Sequence, residues 1–216
     1  MAKVKICYAS FGTDSQKVNA VSLRGYMGYL FADDREFHHH SESSHHYPKI
    51  QYKKIDQELI IMGLAEYADV IFEKISQVDH VTTESKKLPV HNLILETKIF
   101  NIVQESSKYC FVTPWLGLNE KNYEKYIMLN TKDKVTFLEK ILVGNILSML
   151  KGLGIRIDFK IEVKILKFRS KTVLAHNNRF AGFFSEWDSN ISLPENCGLG
   201  KSVSKGFGIV KKRDVN

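Results

Sequence analysis

The chain has 216 residues, 44% of them hydrophobic, so it is long enough to bury the core of one large or two small domains. No stretch reaches the roughly 18 apolar residues of a membrane span, and three isolated cysteines argue against a Cys-x-x-Cys zinc or redox site. A net charge of +7 favours an anionic partner such as nucleic acid, and we expect a soluble cytoplasmic protein.

The first hundred residues alternate between strand and helix patterns. Asp14 can cap a first helix, in which apolar residues recur every three or four positions as far as Phe31, and a second helical pattern follows Gly63. Extended patterns of period two or β-branched sequence lie at residues 3–10, 47–54, 58–62, 91–103 and 109–112. Over the first hundred or so residues, the first four extended patterns and the two helices give the order β-α-β-β-α-β, which predicts a ferredoxin-like domain.

The second half of the chain has a different texture. Residues 119–150 are mostly helical in pattern, and residues 160–168 alternate cleanly, with lysines and a glutamate facing outward. A further extended piece covers residues 179–187. We therefore place a domain boundary near Trp115, giving an N-terminal domain of residues 1–115 and a C-terminal domain of residues 116–216.

A histidine-rich segment precedes the second strand and is the first candidate site. Five of the eight histidines fall within nine residues, namely His38, His39, His40, His45 and His46. Such a cluster can transfer protons near neutral pH, bind a metal together with Glu42, or form a solvated polar loop. In an extended segment His38 and His40 lie on one side and His39 on the other, and such a pair could act as the base and acid of RNA cleavage. A reaction of this kind needs no metal, because the nucleophile belongs to the substrate.

A glycine-rich segment near the end of the chain is the second candidate site. Glycines let backbone amides approach an anion, and lysines and hydroxyls supply charge and donors, so phosphate contact is the preferred interpretation and a plain glycine-rich hairpin the alternative. The match to a nucleotide-binding P-loop fails, because the first glycine of that motif falls on Glu195. The residues that we expect to contact a phosphate backbone are Gly198, Gly200, Lys201, Ser202, Ser204, Lys205, Gly206 and Gly208.

Four motifs together resemble a known family. They are Leu23-Arg24-Gly25, Phe37-His38-His39-His40, Tyr47-Pro48-Lys49-Ile50-Gln51-Tyr52-Lys53 and the glycine-rich stretch from Gly198 to Gly208. The chain resembles the CRISPR repeat-processing endoribonucleases of the repeat-associated mysterious protein superfamily, in the branch with a Tyr-Pro-x-x-Gln-Tyr-Lys strand. The resemblance implies an α+β fold of two tandem ferredoxin-like (RRM-like) domains with antiparallel sheets.

The resemblance also implies an activity. Such enzymes cut CRISPR transcripts within each repeat, without metal or cofactor, and leave 2′,3′-cyclic phosphate and 5′-hydroxyl ends. We expect His38 and His40 to be the acid and base, and Lys53 to stabilise charge on the scissile phosphate. The implied partner is CRISPR repeat RNA, with other subunits of a CRISPR interference complex left open, and the protein is expected to be a monomer or a homodimer.

Two other functions remain open from the sequence. The first is a non-catalytic RNA-binding subunit of a CRISPR complex that keeps the glycine-rich segment. The second is a metal-dependent hydrolase or metal-sensing protein that uses the histidine cluster.

Overall fold

The computed structural model describes residues 2–14, 18–34, 37, 46–82, 86–175 and 178–213. They fall into two compact units. The N-terminal unit comprises the described residues within 3–100 and 204–206, and the C-terminal unit comprises those within 101–203 and 207–213 together with Ala2. Three residues from the far end of the chain therefore pack with the first hundred.

The N-terminal unit has the predicted β-α-β-β-α-β order, with one additional short strand after the second helix. Its described elements are β1 (Ala2–Thr13), α1 (Ala20–Leu30), β2 (Ile50–Ile55), β3 (Glu58–Leu64), α2 (Tyr67–Ile75), β4 (His80–Thr82) and β5 (Lys87–Ile102). The strands form one sheet in the order β2-β3-β1-β5-β4, and β3 pairs antiparallel with both β1 and β2. With β4 added at one edge, this is the strand order of a ferredoxin-like domain.

Helix α1 begins later than the sequence suggested. Asn19 is its N-cap and accepts hydrogen bonds from the amides of Val21 and Ser22, at 2.9 and 3.0 Å. Asp14 instead contacts the ring of His91 at 2.8 Å. The prediction of an Asp14 cap was therefore wrong: both residue types can cap a helix, and only the fold shows which one lies next to the free amides.

The N-terminal sheet is covered on both faces along β2. On the helical side, Ile50 and Tyr52 join the apolar core with residues of α1 and α2. On the opposite side, Gln51 and Lys53 are fully buried, with 0% of each exposed. Alternation of polar and apolar residues is typical of a strand with one wet face, but here neither face of β2 reaches solvent.

The C-terminal unit repeats the same strand order around different helices. Its described elements are β6 (Gln104–Phe111), α3 (Glu120–Ile127), α4 (Thr131–Gly152), β7 (Val163–Ala175), β8 (Asn178–Ile191) and β9 (Val210–Arg213). The sheet order is β7-β8-β6-β9, and each neighbouring pair is antiparallel. The fold class predicted from the sequence, α+β with two ferredoxin-like domains, is confirmed.

One crossover distinguishes the two units. In the N-terminal unit, α2 connects the third and fourth strands of the β-α-β-β-α-β motif. In the C-terminal unit, the connection from β8 to β9 contains only a short 3-10 turn, Val203–Lys205, within the glycine-rich segment. The glycine-rich segment thus occupies the place of a helix.

Aromatic side chains fill much of the C-terminal core. Trp115 and Trp187 are fully buried, and the ring of Phe111 stacks on that of Trp115 at 5.3 Å. Leu138, Leu142 and Ile146 of α4 are also fully buried.

No helix within the described ranges is long and apolar enough to cross a membrane.

Candidate functional site

The two predicted catalytic histidines, His38 and His40, lie outside the described residues, as do His39 and His45. The chain on either side is anchored in the N-terminal unit. Phe37 is 3% exposed and its ring lies 4.5 Å from that of Phe31, and Tyr47 is also buried. The residues that flank the histidine-rich segment are therefore buried in this unit.

A chain of hydrogen bonds runs from the predicted site residue Lys53 to Tyr47. The Lys53 ammonium donates to Gln51 Oε1 at 2.8 Å, and Gln51 Nε2 donates to the Tyr47 hydroxyl at 2.8 Å and to the Pro48 carbonyl at 3.0 Å. Because an ammonium can only donate, it determines which end of the Gln51 amide faces Tyr47. The Tyr47 oxygen then accepts from the amide and keeps its own hydrogen for another acceptor.

Two residues in this series of hydrogen bonds, Gln51 and Tyr47, are not predicted as site residues from the sequence. Gln51 and Tyr47 belong to the Tyr-Pro-x-x-Gln-Tyr-Lys motif, in which Lys53 is the only residue predicted to act in the site. The period of two was the available signal, because it places Gln51 and Lys53 on the same side of β2. Tyr47 precedes the strand and could not be placed by periodicity.

The glycine-rich segment contacts β2 through Gly206. The Gly206 backbone has φ +84°, and a Cβ there would lie 2.8 Å from Cβ of Ala20 and 3.3 Å from the carbonyl oxygen of Tyr52, with Cα of Lys53 at 3.8 Å. Only glycine fits both the backbone conformation and the contact. Two motifs from opposite ends of the sequence thus meet in the N-terminal unit.

The remaining glycines of the segment allow close packing inside the C-terminal unit. A Cβ at Gly198 would overlap Val203, one at Gly200 would lie 2.8 Å from the Leu116 carbonyl, and one at Gly208 would overlap the Leu199 carbonyl. These three positions therefore shape the segment, whatever it binds.

Several amides of the segment already have protein acceptors. The amides of Leu199, Lys201 and Gly208 each donate to a protein carbonyl at 2.9 Å. A phosphate could not use those amides without breaking these bonds. The side chain of Lys201 is exposed, whereas Ser202, Ser204 and Lys205 are half-buried, so the side chains are the better candidates for contact with an anion.

A basic ladder on β7 was only partly visible in the sequence. The strand continues to Ala175, beyond the predicted end at residue 168. Its exposed cations, Lys164, Lys167, Arg169 and Lys171, carry no ion pair with any carboxylate in the described part of the chain.

The ladder faces away from the C-terminal core. Lys164 and Lys167 are opposite Asp188 and Glu186 of β8, whereas the core-facing Ile165 is opposite Trp187. The guanidinium of Arg169 lies 4.3 Å from the centre of the Phe184 ring. Cations interleaved with an aromatic ring are typical of surfaces that bind nucleic acid.

The histidine-rich segment was also a candidate for metal binding. Among the residues that the structure describes, no group of three or more His, Cys, Asp or Glu side chains could hold a metal ion. The cluster from His38 to His45 lies outside those residues.

Comparison with known proteins assigns the family. A model of the Cas6b N-terminal domain matches residues 2–101, and a model of the Cas6b C-terminal domain matches residues 101–213. An uncharacterised protein of Methanocaldococcus jannaschii is 43% identical over 111 residues, which are 51% of this chain and 76% of that protein.

Solved structures agree with the sequence match. A crystal structure of Cas6b is 29% identical, with a TM-score of 0.91 over 98% of this chain and 100% of that one. A crystal structure of a CRISPR RNA processing endoribonuclease Cas6b is 30% identical, with a TM-score of 0.75 over 97% of this chain and 100% of that one. A Cas6 product complex, 10% identical with a TM-score of 0.60 over 99% and 100% of the two chains, shares the fold.

The paired ferredoxin-like units and the glycine-rich segment define a CRISPR-associated endoribonuclease of the repeat-associated mysterious protein superfamily. Since the two Cas6b models together extend over residues 2–213, the chain belongs to the Cas6b family.

Proposed function

We propose that this protein matures CRISPR guide RNAs by cutting precursor transcripts within their repeats, without a metal ion. The contact of Gly206 with Tyr52 and Lys53 is the observation that carries this proposal. It places a candidate phosphate-binding segment against the strand that follows the histidine-rich segment. RNA held by the glycine-rich segment would therefore lie next to β2, the strand that the histidine-rich segment precedes in the sequence.

The chemistry that we assign to the histidines is an internal transesterification. One of His38 and His40 removes the proton from a ribose 2′-hydroxyl, and that oxygen attacks the adjacent phosphorus. The other donates a proton to the departing 5′-oxygen. The products are a 2′,3′-cyclic phosphate and a 5′-hydroxyl, and no water is consumed. An acid and a base with pKa values near neutrality suit both transfers.

Lys53 supplies positive charge to this site in our proposal. Its ammonium is fully buried and hydrogen-bonded to Gln51. A charge in a low-dielectric surrounding acts over a longer distance than one in water. We therefore assign it two effects: it stabilises charge that develops on the scissile phosphate, and it holds Gln51 and Tyr47 in one orientation.

The glycine-rich segment binds the RNA backbone in this scheme. The exposed Lys201 and the half-buried Lys205 are its cations, and the hydroxyls of Ser202 and Ser204 are additional donors. Contacts of this kind hold the strand in register but read no bases. The repeat sequence must therefore be recognised elsewhere on the protein.

Cleavage of a repeat RNA in EDTA tests the proposal. We expect cutting at one position by the wild-type protein, a cyclic phosphate on the 5′ fragment, and no cutting when the nucleotide before that position is 2′-deoxy. His38→Ala and His40→Ala should each slow single-turnover cleavage at least a hundredfold. His91→Ala, which removes a histidine paired with Asp14 in the same unit, is the matched control and should cleave normally.

Two results would contradict the proposal. Tight binding of intact repeat RNA without cleavage would identify a non-catalytic binding subunit. Cleavage that EDTA abolishes and zinc restores would instead identify a metal-dependent enzyme that uses the histidine cluster.

A further inference from the structure

The contact between α1 and the glycine-rich segment brings a second cation close to Lys205. Gly206 packs on Ala20, the first residue of α1. Arg24 is four residues further along the helix, and residues four apart lie on the same face, one turn from each other. The face of α1 that touches the segment thus also carries Arg24.

The Arg24 side chain is partly buried and has a nitrogen without a hydrogen-bond acceptor among the described residues. This nitrogen is Nε, which is shielded from solvent. No carboxylate in that part of the chain forms an ion pair with its guanidinium. A buried donor without an acceptor is costly, and native proteins keep few of them. Those that remain often lie at catalytic sites or where a water molecule or an ion binds.

Lys205 experiences the charge of Arg24. Burial is the main cause that lowers the pKa of Lys205, and the positive charge of Arg24 lowers it further. The same charge acts on the buried hydroxyl of Tyr52, where burial raises the pKa and Arg24 opposes the rise. Arg24 is therefore close to both the segment and β2, where its charge lies near that of Lys205.

We infer that Arg24 and Lys205 together bind a single phosphate group of the RNA backbone. An anion between them would relieve their repulsion and provide an acceptor for the Arg24 guanidinium. The guanidinium presents a planar fork of donors suited to two phosphate oxygens, and the ammonium adds a point charge. The inference rests on the proposed function for its ligand, and it adds Arg24, a residue outside the glycine-rich segment, to the RNA-contacting set.

A double-mutant cycle on RNA affinity tests the shared phosphate. The probe is a repeat RNA with one 2′-deoxynucleotide at the cleavage position, so that binding is measured without cutting. Arg24→Gln and Lys205→Gln should each raise Kd about tenfold and flatten the plot of log Kd against log salt by about 0.7, the value for one single-strand phosphate. Lys3→Gln removes an exposed charge from the same unit and is the control.

The double variant decides the inference. If both side chains hold one phosphate, Arg24→Gln with Lys205→Gln should weaken binding by little more than either alone, because the two effects are coupled. A loss near a hundredfold, equal to the product of the single effects, would mean two separate phosphates and would overturn the inference. An unchanged Kd in either single variant would also overturn it.

Stability of the RNA-free protein separates a binding defect from misfolding. Because Arg24→Gln removes one of two like charges, its thermal midpoint should equal or exceed that of the wild type. Arg24→Lys keeps the charge and loses the fork, so its Kd should lie between wild type and Arg24→Gln. A lower midpoint in Arg24→Gln together with wild-type affinity in Arg24→Lys would mean a structural role only.

The same experiments distinguish this inference from the proposed function. If the wild-type protein binds the 2′-deoxy RNA but leaves the all-ribose RNA intact, the proposed cleavage fails while the binding cycle still tests the shared phosphate. If cleavage occurs and the cycle is additive, the inference alone is wrong.

Discussion

Strands β2 and β7 both alternate basic or polar residues with apolar ones, yet they end in opposite surroundings. On β2, the polar members Gln51 and Lys53 are fully buried and joined by a hydrogen bond. On β7, Lys167 and Arg169 are exposed. Burying a lysine is expensive unless its ammonium is hydrogen-bonded, whereas an exposed lysine costs little. Sequence period alone does not separate a site residue from a solvated one.

The largest expected difference is in catalysis. Lys53→Met keeps the length of the side chain and removes the charge, so we expect single-turnover cleavage to fall about a hundredfold or more. Lys167→Met on β7 should leave the rate at saturating RNA unchanged. Unfolding in urea should show that the free energy of unfolding of Lys53→Met is lower by no more than about 2 kcal/mol, since the Gln51 oxygen loses the hydrogen bond from Lys53. Normal cleavage by Lys53→Met would make Lys53 a structural residue.

The second difference concerns the glycine-rich segment, which packs on β2 through Gly206. Gly206→Ala requires a positive φ and places a methyl group 2.8 Å from Ala20, so we expect a loss of about 2 kcal/mol in the free energy of unfolding. Cleavage at low RNA concentration should fall at least tenfold.

Gly25→Ala is the matched control for this contact. A Cβ at Gly25 has no neighbour within 4 Å, and alanine is the better helix residue, so this variant should gain about 0.5 to 1 kcal/mol. Equal effects of the two substitutions would show that the contact seen at Gly206 is unimportant.

A smaller effect is expected on β7. Replacing Lys167, Arg169 and Lys171 together with glutamine should weaken binding of any RNA about tenfold and flatten the salt dependence by about 2, because up to three phosphate contacts are lost. The cleavage rate at saturation should not change. The control removes three exposed lysines of α4, Lys132, Lys140 and Lys151, and an equal loss there would mean that β7 contributes only net charge.

The smallest effect is expected at Tyr52, on the apolar side of β2. Its hydroxyl is buried and has no partner among the residues described, so Tyr52→Phe should change the free energy of unfolding by less than about 1 kcal/mol. Tyr109 is the contrast, since its hydroxyl donates to the Ile191 carbonyl at 3.1 Å and accepts from the Leu193 amide at 2.9 Å. Tyr109→Phe should lower the free energy of unfolding by about 2 kcal/mol. Similar losses in both variants would contradict the view that the Tyr109 hydroxyl is hydrogen-bonded and the Tyr52 hydroxyl is not.

Element order and fold class were predictable because they depend on local patterns. The period of two in β1 and the helical spacing in α1 arise from the geometry of single segments. Boundaries were less predictable. Strand β7 extends to Ala175, because its backbone pairs with β8 as far as Ala175 and Asn178. The side-chain alternation that predicts an end at residue 168 does not report this pairing. The cap of α1 at Asn19 likewise depends on where the chain leaves β1.

The candidate site was predictable as residue types and motifs but not as an arrangement. The histidine pair, the Tyr-Pro-x-x-Gln-Tyr-Lys strand and the glycine-rich segment could all be named from the sequence. That Gln51 connects Lys53 to Tyr47 follows from burial of β2 on both faces. That Gly206 touches this strand involves residues about 150 positions apart in the chain, a separation that no local pattern reports.

The sequence by itself determined two ferredoxin-like units, a histidine pair suited to proton transfer, and a basic, glycine-rich segment suited to phosphate. Only the tertiary structure decided that Lys53 is buried while the lysines of β7 are exposed, and that residues 204–206 pack with the N-terminal unit. The physical reason is the same in both cases. Alternation and glycine content specify which conformations a segment can adopt, whereas burial and contact depend on what the rest of the chain places against it.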